Sequence, residues 1–300
     1  MTRKIFTVIA VAFLLSSCTP TEKSGDKDLP VYKIGYMICN SEKETLDRFI
    51  PFSKHLGDLL GVKFETHAID TINFTREVDK LDFVHTNSLL YIILNRFHGV
   101  EVLAAEKKGS LGFRSQGIVL SRKDSGVNTI ADLKGKTMIF GPMLAPTGFM
   151  SQVDLMQKNG IDPEQDLAFY TIPGGSFKHE KVIYGVMFGK FDAGSIPLDD
   201  LEIMAEDNRI DTEDFQIIGR SEPIPYCNFG VTQKIDEKLA KRFKDAVLSI
   251  KPQDTVEIDG QVIRVLERAL VDGYVEIRNE DFDIVREMAK RTNMPPYQKY

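Results

Sequence analysis

Apolar and polar positions follow two rhythms along this chain, and the switches between them mark its elements. Residues 31–38 alternate as a strand does. Residues 43–60 then place Leu46, Phe49, Ile50, Leu56, Leu59 and Leu60 on one helical face. Pro51 interrupts that face and is expected to kink it. Further strands are expected at 62–68, 82–84 and 100–105, with a short helix near 73–80 and a longer one over 88–97. The alternation resumes with strands at 117–121, 137–140, 167–172, 191–196 and 215–218. Helices fit 130–133, 149–158, 179–188 and 198–205, and the tail reads as helices over 239–250, 261–270 and 281–291. Strands alternating with helices predict mostly parallel sheets with helices on both faces, here as two runs of βα units and a helix-rich tail. Two α/β lobes of this kind bind ligands where their strand ends face each other.

The first thirty residues follow a different pattern. Arg3 and Lys4 precede an apolar run, residues 5–15, that is too short to cross a bilayer as a mature helix. Small residues and a cysteine follow, which reads as an export signal. Leu15-Ser16-Ser17-Cys18 resembles a bacterial lipobox, which implies that residues 1–17 are a lipoprotein signal peptide and that Cys18 is the lipidated first residue of the mature protein. Residues 18–30 then form a flexible tether to the membrane. The expected location is therefore the periplasmic side of a membrane or the cell surface. A net charge of −6 with no basic face argues against nucleic acid as a partner. Outside the lipobox the cysteines are Cys39 and Cys227. Their spacing excludes a CxxC motif, and a disulfide and two buried free thiols both remain open.

The segment GPMLAPTGFM, residues 141–150, links an expected strand to an expected helix. A helix entered through Thr147-Gly148 is expected to leave backbone amides unpaired at its start, where the helix dipole favours an anion. Gly148 allows close approach and Thr147 adds a hydroxyl. An ordinary strand-to-helix turn with a threonine cap fits the same residues.

Four segments carry a resemblance. They are Asp82-Phe83-Val84-His85-Thr86-Asn87-Ser88-Leu89-Leu90-Tyr91; Arg122-Lys123-Asp124-Ser125-Gly126 with Ala131-Asp132-Leu133-Lys134-Gly135-Lys136; Gly174-Gly175 with His179, Val186, Gly189 and Asp192-Ala193-Gly194; and Ser221-Glu222-Pro223-Ile224-Pro225. In this order they resemble the phosphate/phosphite/phosphonate branch of ABC-transporter substrate-binding proteins, over roughly residues 31–250. The resemblance implies a type II periplasmic-binding-protein fold. Lobe one would comprise 31–115 and 226–300, lobe two 116–225, with a two-segment hinge near Ser115–Gln116 and Ser221–Tyr226. It implies an oxyanion held by Thr147, Gly148 and His179 from lobe two and by Thr86, Asn87 and Ser88 from lobe one. Asp199 stands near the acid that takes an ammonium in relatives that bind amino-phosphonates. For each of these a plain structural role also fits: a buried histidine, a helix cap, a solvated acid. Tyr36 and Asn40 are weaker candidates, and Tyr91 reads as core. Ala145-Pro146-Thr147-Gly148 replaces the family's Ser-Thr-Ser-Gly turn, and a changed donor set implies a changed ligand.

The chain has no GxSxG, no HExxH and no GxGxxG after a strand. Lys134-Gly135-Lys136-Thr137 precedes a strand, unlike a phosphate loop. No catalytic residue, metal site or cofactor is therefore expected. The reading is a lipid-anchored solute receptor that closes on a small oxyanion and hands it to an ABC permease. Two alternatives are a receptor subunit for a membrane sensor and an exported enzyme on the same scaffold.

Overall fold

The computed structural model describes residues 29–299, so the signal peptide, Cys18 and residues 19–28 of the tether lie outside the described residues. The chain begins with β1 (Val31–Met37), α1 (Glu42–Leu60), β2 (Lys63–Ile69), α2 (Phe74–Glu77), β3 (Phe83–Thr86), α3 (Ser88–His98) and β4 (Glu101–Lys107). It crosses through β5 (Arg114–Ser115) to β6 (Gly117–Arg122), β7 (Thr137–Phe140), α4 (Ser151–Lys158), α5 (Pro163–Asp166), β8 (Phe169–Thr171), α6 (Lys178–Met187), β9 (Ala193–Pro197), α7 (Leu198–Glu206) and β10 (Phe215–Arg220). It returns through β11 (Ile224–Pro225) to β12 (Asn228–Val231), α8 (Glu237–Ser249), β13 (Thr255–Ile258), β14 (Gln261–Arg264), α9 (Val265–Ala269), β15 (Gly273–Val275) and α10 (Asp283–Arg291).

One sheet has the order β15-β4-β12-β3-β1-β2 and the other β10-β6-β9-β7-β8, with the ribbon β5–β11 between them. This is a type II binding-protein architecture, two α/β lobes joined by a pair of crossing segments. The sheets are mixed, where mostly parallel ones were expected. β1 pairs parallel with β2 and β3, and β7 with β8 and β9, but β12 runs antiparallel to β3 and β4, and β6 to β9 and β10. The antiparallel strands β6 and β12 are those entering each lobe from the other, so the double crossing itself reverses their direction.

Each sheet is buried on both faces. In lobe one, α1 and α8 pack on one face through an aromatic stack in which Phe83 and Phe243 lie 3.9 Å apart and Phe52 and Phe229 5.5 Å apart. α3 and α10 cover the other face. A fully buried Phe of this kind contributes about 1.5–3 kcal/mol. Lobe two is sandwiched between α6–α7 and α4. The C-terminal α10 packs on α3, and its Arg291 Nε donates to the buried Asp154 Oδ1 of α4 at 2.6 Å, so it touches both lobes.

Helix boundaries follow local chemistry. α1 starts where Ser41 Oγ accepts the Glu44 amide and ends at Gly61 in the left-handed region, φ 68°. Pro51 sits inside it without ending it. The proline deprives the Asp47 carbonyl of its helical donor, and Arg268 Nε fills the position at 3.1 Å. The expected helix over 261–270 is instead a hairpin strand followed by the short α9. Asp259 and Gly260, with φ 50° and 76°, make the tight turn between β13 and β14. β15, not anticipated from the sequence, pairs at the edge with β4.

Candidate functional site

A cleft of about 840 Å³ opens between the lobes. The β1 end contributes Met37 to Asn40, α1 contributes Glu44 and Arg48, and the start of α3 contributes Asn87 and Ser88. The turn 142–147, His179 and Asp200 come from lobe two. Both sheets therefore direct strand ends and helix starts at one space, as open α/β sheets do.

His179 occupies the second position of α6. Its Nδ1 lies 2.5 Å from Asp200 Oδ2, and its buried Nε2 has no hydrogen-bond partner in the protein. A methyl on Gly148 would stand 2.7 Å from that Nε2, so only glycine lets the ring lie against the turn. Asp200 fixes the ring by accepting Nδ1–H. The neutral ring then presents a lone pair at Nε2, and the protonated ring presents a donor.

The turn itself differs from expectation. Residues 146–150 form a single wide helical turn, and Ala145 O accepts the amides of both Gly148 and Phe149 at 3.0 Å. Those amides are closed to a ligand. Gly148 contributes space, and Thr147, buried at the cleft wall, has its own carbonyl held by Gln152 Nε2. The expected nest of free amides is thus replaced by side-chain donors, because Pro146 lacks an N–H and the turn pairs internally.

From lobe one, Asn87 caps α3 by accepting the Leu90 amide at 2.8 Å and donates from Nδ2 to Leu144 O of lobe two at 2.9 Å. Ser88 lines the cleft, and its buried Oγ has no partner. Thr86 is fully buried beneath the wall and does not reach the cleft. Asp199 also stays off the cleft wall. It faces Ser115 Oγ at 3.5 Å and Lys108 Nζ at 3.7 Å beside the crossing ribbon, and burial and then the charge of Asp200 push its carboxyl up. The neighbouring Asp200 is the acid that faces the ligand space. Tyr36 is sealed in the core with its hydroxyl on Ser53, and Asn40 is at the rim, where its carbonyl accepts the Phe177 amide of lobe two at 3.3 Å. Tyr91 is fully buried.

Three lining residues were not singled out as site residues from sequence. Arg48 donates Nε and Nη2 to Ala269 O and stacks over Phe49 at 4.9 Å. Cys39 and Cys227 are both free thiols, and both face this cleft. Cys39 is exposed, while burial pushes the Cys227 thiol well up. The two form no disulfide. Among the described residues no group of His, Cys, Asp and Glu is gathered to hold a metal.

Known proteins resemble this arrangement. PhnD1 from Prochlorococcus marinus MIT 9301, solved with methylphosphonate, superposes with a TM-score of 0.73 at 17% identity, over 88% of this chain and 98% of that one. A binding component of a phosphonate ABC transporter from Pseudomonas aeruginosa gives 0.71 at 16% identity, covering 89% and 87%. The tetrathionate sensor histidine kinase TtrS of Salmonella typhimurium is 26% identical over 204 residues, 65% of this chain and 34% of the kinase. The chain therefore spans about a third of that kinase's length. The model of the ABC-transporter phosphonate periplasmic substrate-binding proteins matches residues 34–282, and the chain belongs to that family.

Proposed function

We propose that this protein is the lipid-anchored extracytoplasmic receptor of an ABC importer, and that it closes its lobes over an oxyanion of the phosphonate, phosphite or phosphate type. Ser88 Oγ, Thr147 Oγ1 and a protonated His179 would donate to the anion, with Asp200 balancing the imidazolium. Asn87 would act mainly by joining the two walls. Family membership supports the importer role, and the lipobox supports anchoring through Cys18. The observation that carries the anion reading is that His179 and Ser88 line the same cleft and each holds a buried polar atom, Nε2 and Oγ, without a partner in the protein. Unpaired buried polar atoms are costly unless a ligand completes them.

Isothermal titration with phosphate, phosphite, methylphosphonate and sulfate tests this. Heat with at least one is expected; absence of both heat and thermal shift across the panel would remove the reading. Metabolic labelling with palmitate, lost in Cys18→Ser, checks the anchor. A second reading, presentation of ligand to a membrane sensor, draws on the resemblance to the tetrathionate sensor kinase. Adding tetrathionate to the titration distinguishes its ligand class.

A further inference from the structure

The cleft is larger and more apolar than a tetrahedral ion needs. Its volume of about 840 Å³ falls in the range that encloses drug-sized molecules. This size does not come from parted lobes. Asn87 Nδ2 already donates to Leu144 O, and Phe177 N to Asn40 O, so the walls touch at both places while the space between remains.

The lining is unusual in three ways. Four large hydrophobic side chains that are exposed, Ile72, Met143, Phe177 and Leu270, all border this cleft. Apolar surface gathered in one concavity marks a binding face. Among the described residues five that are not glycine have positive φ. Three are Asn or Asp, which tolerate it; the other two are Phe177, φ 53°, and Leu270, φ 59°, and both line the cleft. Bulky residues held in the left-handed region cluster at ligand sites, because the rest of the structure must hold them there. Six charged side chains of the lining, finally, are paired with one another: His179 with Asp200, Arg209 with Glu180, and Arg48 facing Glu44 at 4.0 Å.

We propose that the ligand is an oxyanion carrying an apolar chain. The head would sit at Ser88, Thr147 and His179, and the chain would run against Cys39, Met143, Phe177 and Leu270. This rests on the anion reading above and goes further by assigning the rest of the cleft. Recognition of the chain is by burial, so affinity should rise with its length, about fourfold for each methylene removed from water.

Isothermal titration of the full chain with methyl-, butyl- and hexylphosphonate tests this. Butylphosphonate is expected to bind about fifty-fold tighter than methylphosphonate, given three more buried methylenes. Affinity that is flat or falls with chain length, with methylphosphonate still binding, overturns the chain assignment and leaves the anion reading intact. No binding by any member overturns the chain assignment, and the anion reading falls with it only if phosphate, phosphite and sulfate give no heat either. Cys39→Phe, at an exposed position of the cleft, supplies a second readout. It should weaken hexylphosphonate about tenfold by filling the chain's space while changing methylphosphonate little. An equal loss for both ligands would place Cys39 beside the head and overturn the division.

Discussion

Among the histidine–carboxylate pairs of the described residues, two invite comparison, His85–Glu106 in lobe one and His179–Asp200 in lobe two, and their surroundings assign them different tasks. In lobe one, His85 Nε2 lies 2.8 Å from Glu106 Oε1, with side chains 4% and 1% exposed, inside a cage of Tyr36, Phe49 and Phe229 at ring distances of 5.5, 4.8 and 4.9 Å. Burial alone would raise the Glu106 carboxyl. His85, then Arg48 and Lys108, instead hold it below its ordinary range. In lobe two, His179 and Asp200 are 20% and 32% exposed at the cleft. Each ring keeps one nitrogen without a partner in the protein, but His85 is enclosed in packed core and His179 lines the cleft. The same chemistry therefore serves stability in the first case and recognition in the second, and what decides between them is where the ring sits.

The comparison breaks most readily at its buried member. Glu106→Ala leaves His85 without its partner in the core and should destabilise the fold by about 3–5 kcal/mol, read by urea unfolding. The double variant His85→Phe/Glu106→Leu should recover most of that loss; if it does not, the pair does more than fill the core. Because Glu106 is held below its unfolded value, its contribution is present at neutral pH and fades as pH falls through the depressed value. The advantage of the wild type over Glu106→Gln should therefore narrow in acid. His179→Ala should leave stability nearly unchanged and weaken anion binding by roughly 1.5–3 kcal/mol, about ten- to a hundredfold by titration calorimetry. Asp200→Asn should cost about tenfold in anion affinity, since the ring then loses the carboxylate that accepts from Nδ1; unchanged affinity would remove that role. Ser88→Ala should have the smallest effect, roughly 0.5–1.5 kcal/mol of binding for one neutral donor.

Much of the fold was legible in the sequence, because α1, α3 and the strands between them bury apolar residues at clear spacings. The hairpin after α8 was misread. Val262, Val265, Leu266 and Ala269 fall at helical spacing, and that pattern masked the Asp259-Gly260 turn, which was the available signal. Strand direction could not be read, since β6 and β12 are reversed by the crossings and not by anything in their own residues. At the site, His179, Ser88 and Thr147 were named and line one cleft. Asp199 was named from the resemblance and lies off the wall that Asp200 lines; two adjacent acids differ by about 100° of helical rotation, which no local pattern reports. Gly148 was expected to offer its amide, but whether an amide is free depends on the carbonyl it meets, here Ala145 O. That Cys39 and Cys227 face one space depends on sheet order, which the chain does not spell out.

Pro51 has a consequence for engineering. The usual way to stiffen a long helix is to replace an internal proline with alanine. In α1 the carbonyl that such a change would satisfy is already taken by Arg268, while Arg48, one residue after it, grips Ala269 O in return. Helix and neighbour are thus clasped by two arginines reaching in opposite directions, and the clasp lies next to Leu270. An edit that completed the helix would evict Arg268 and loosen the wall it anchors, so a more regular helix here would come with a less well-defined receptor.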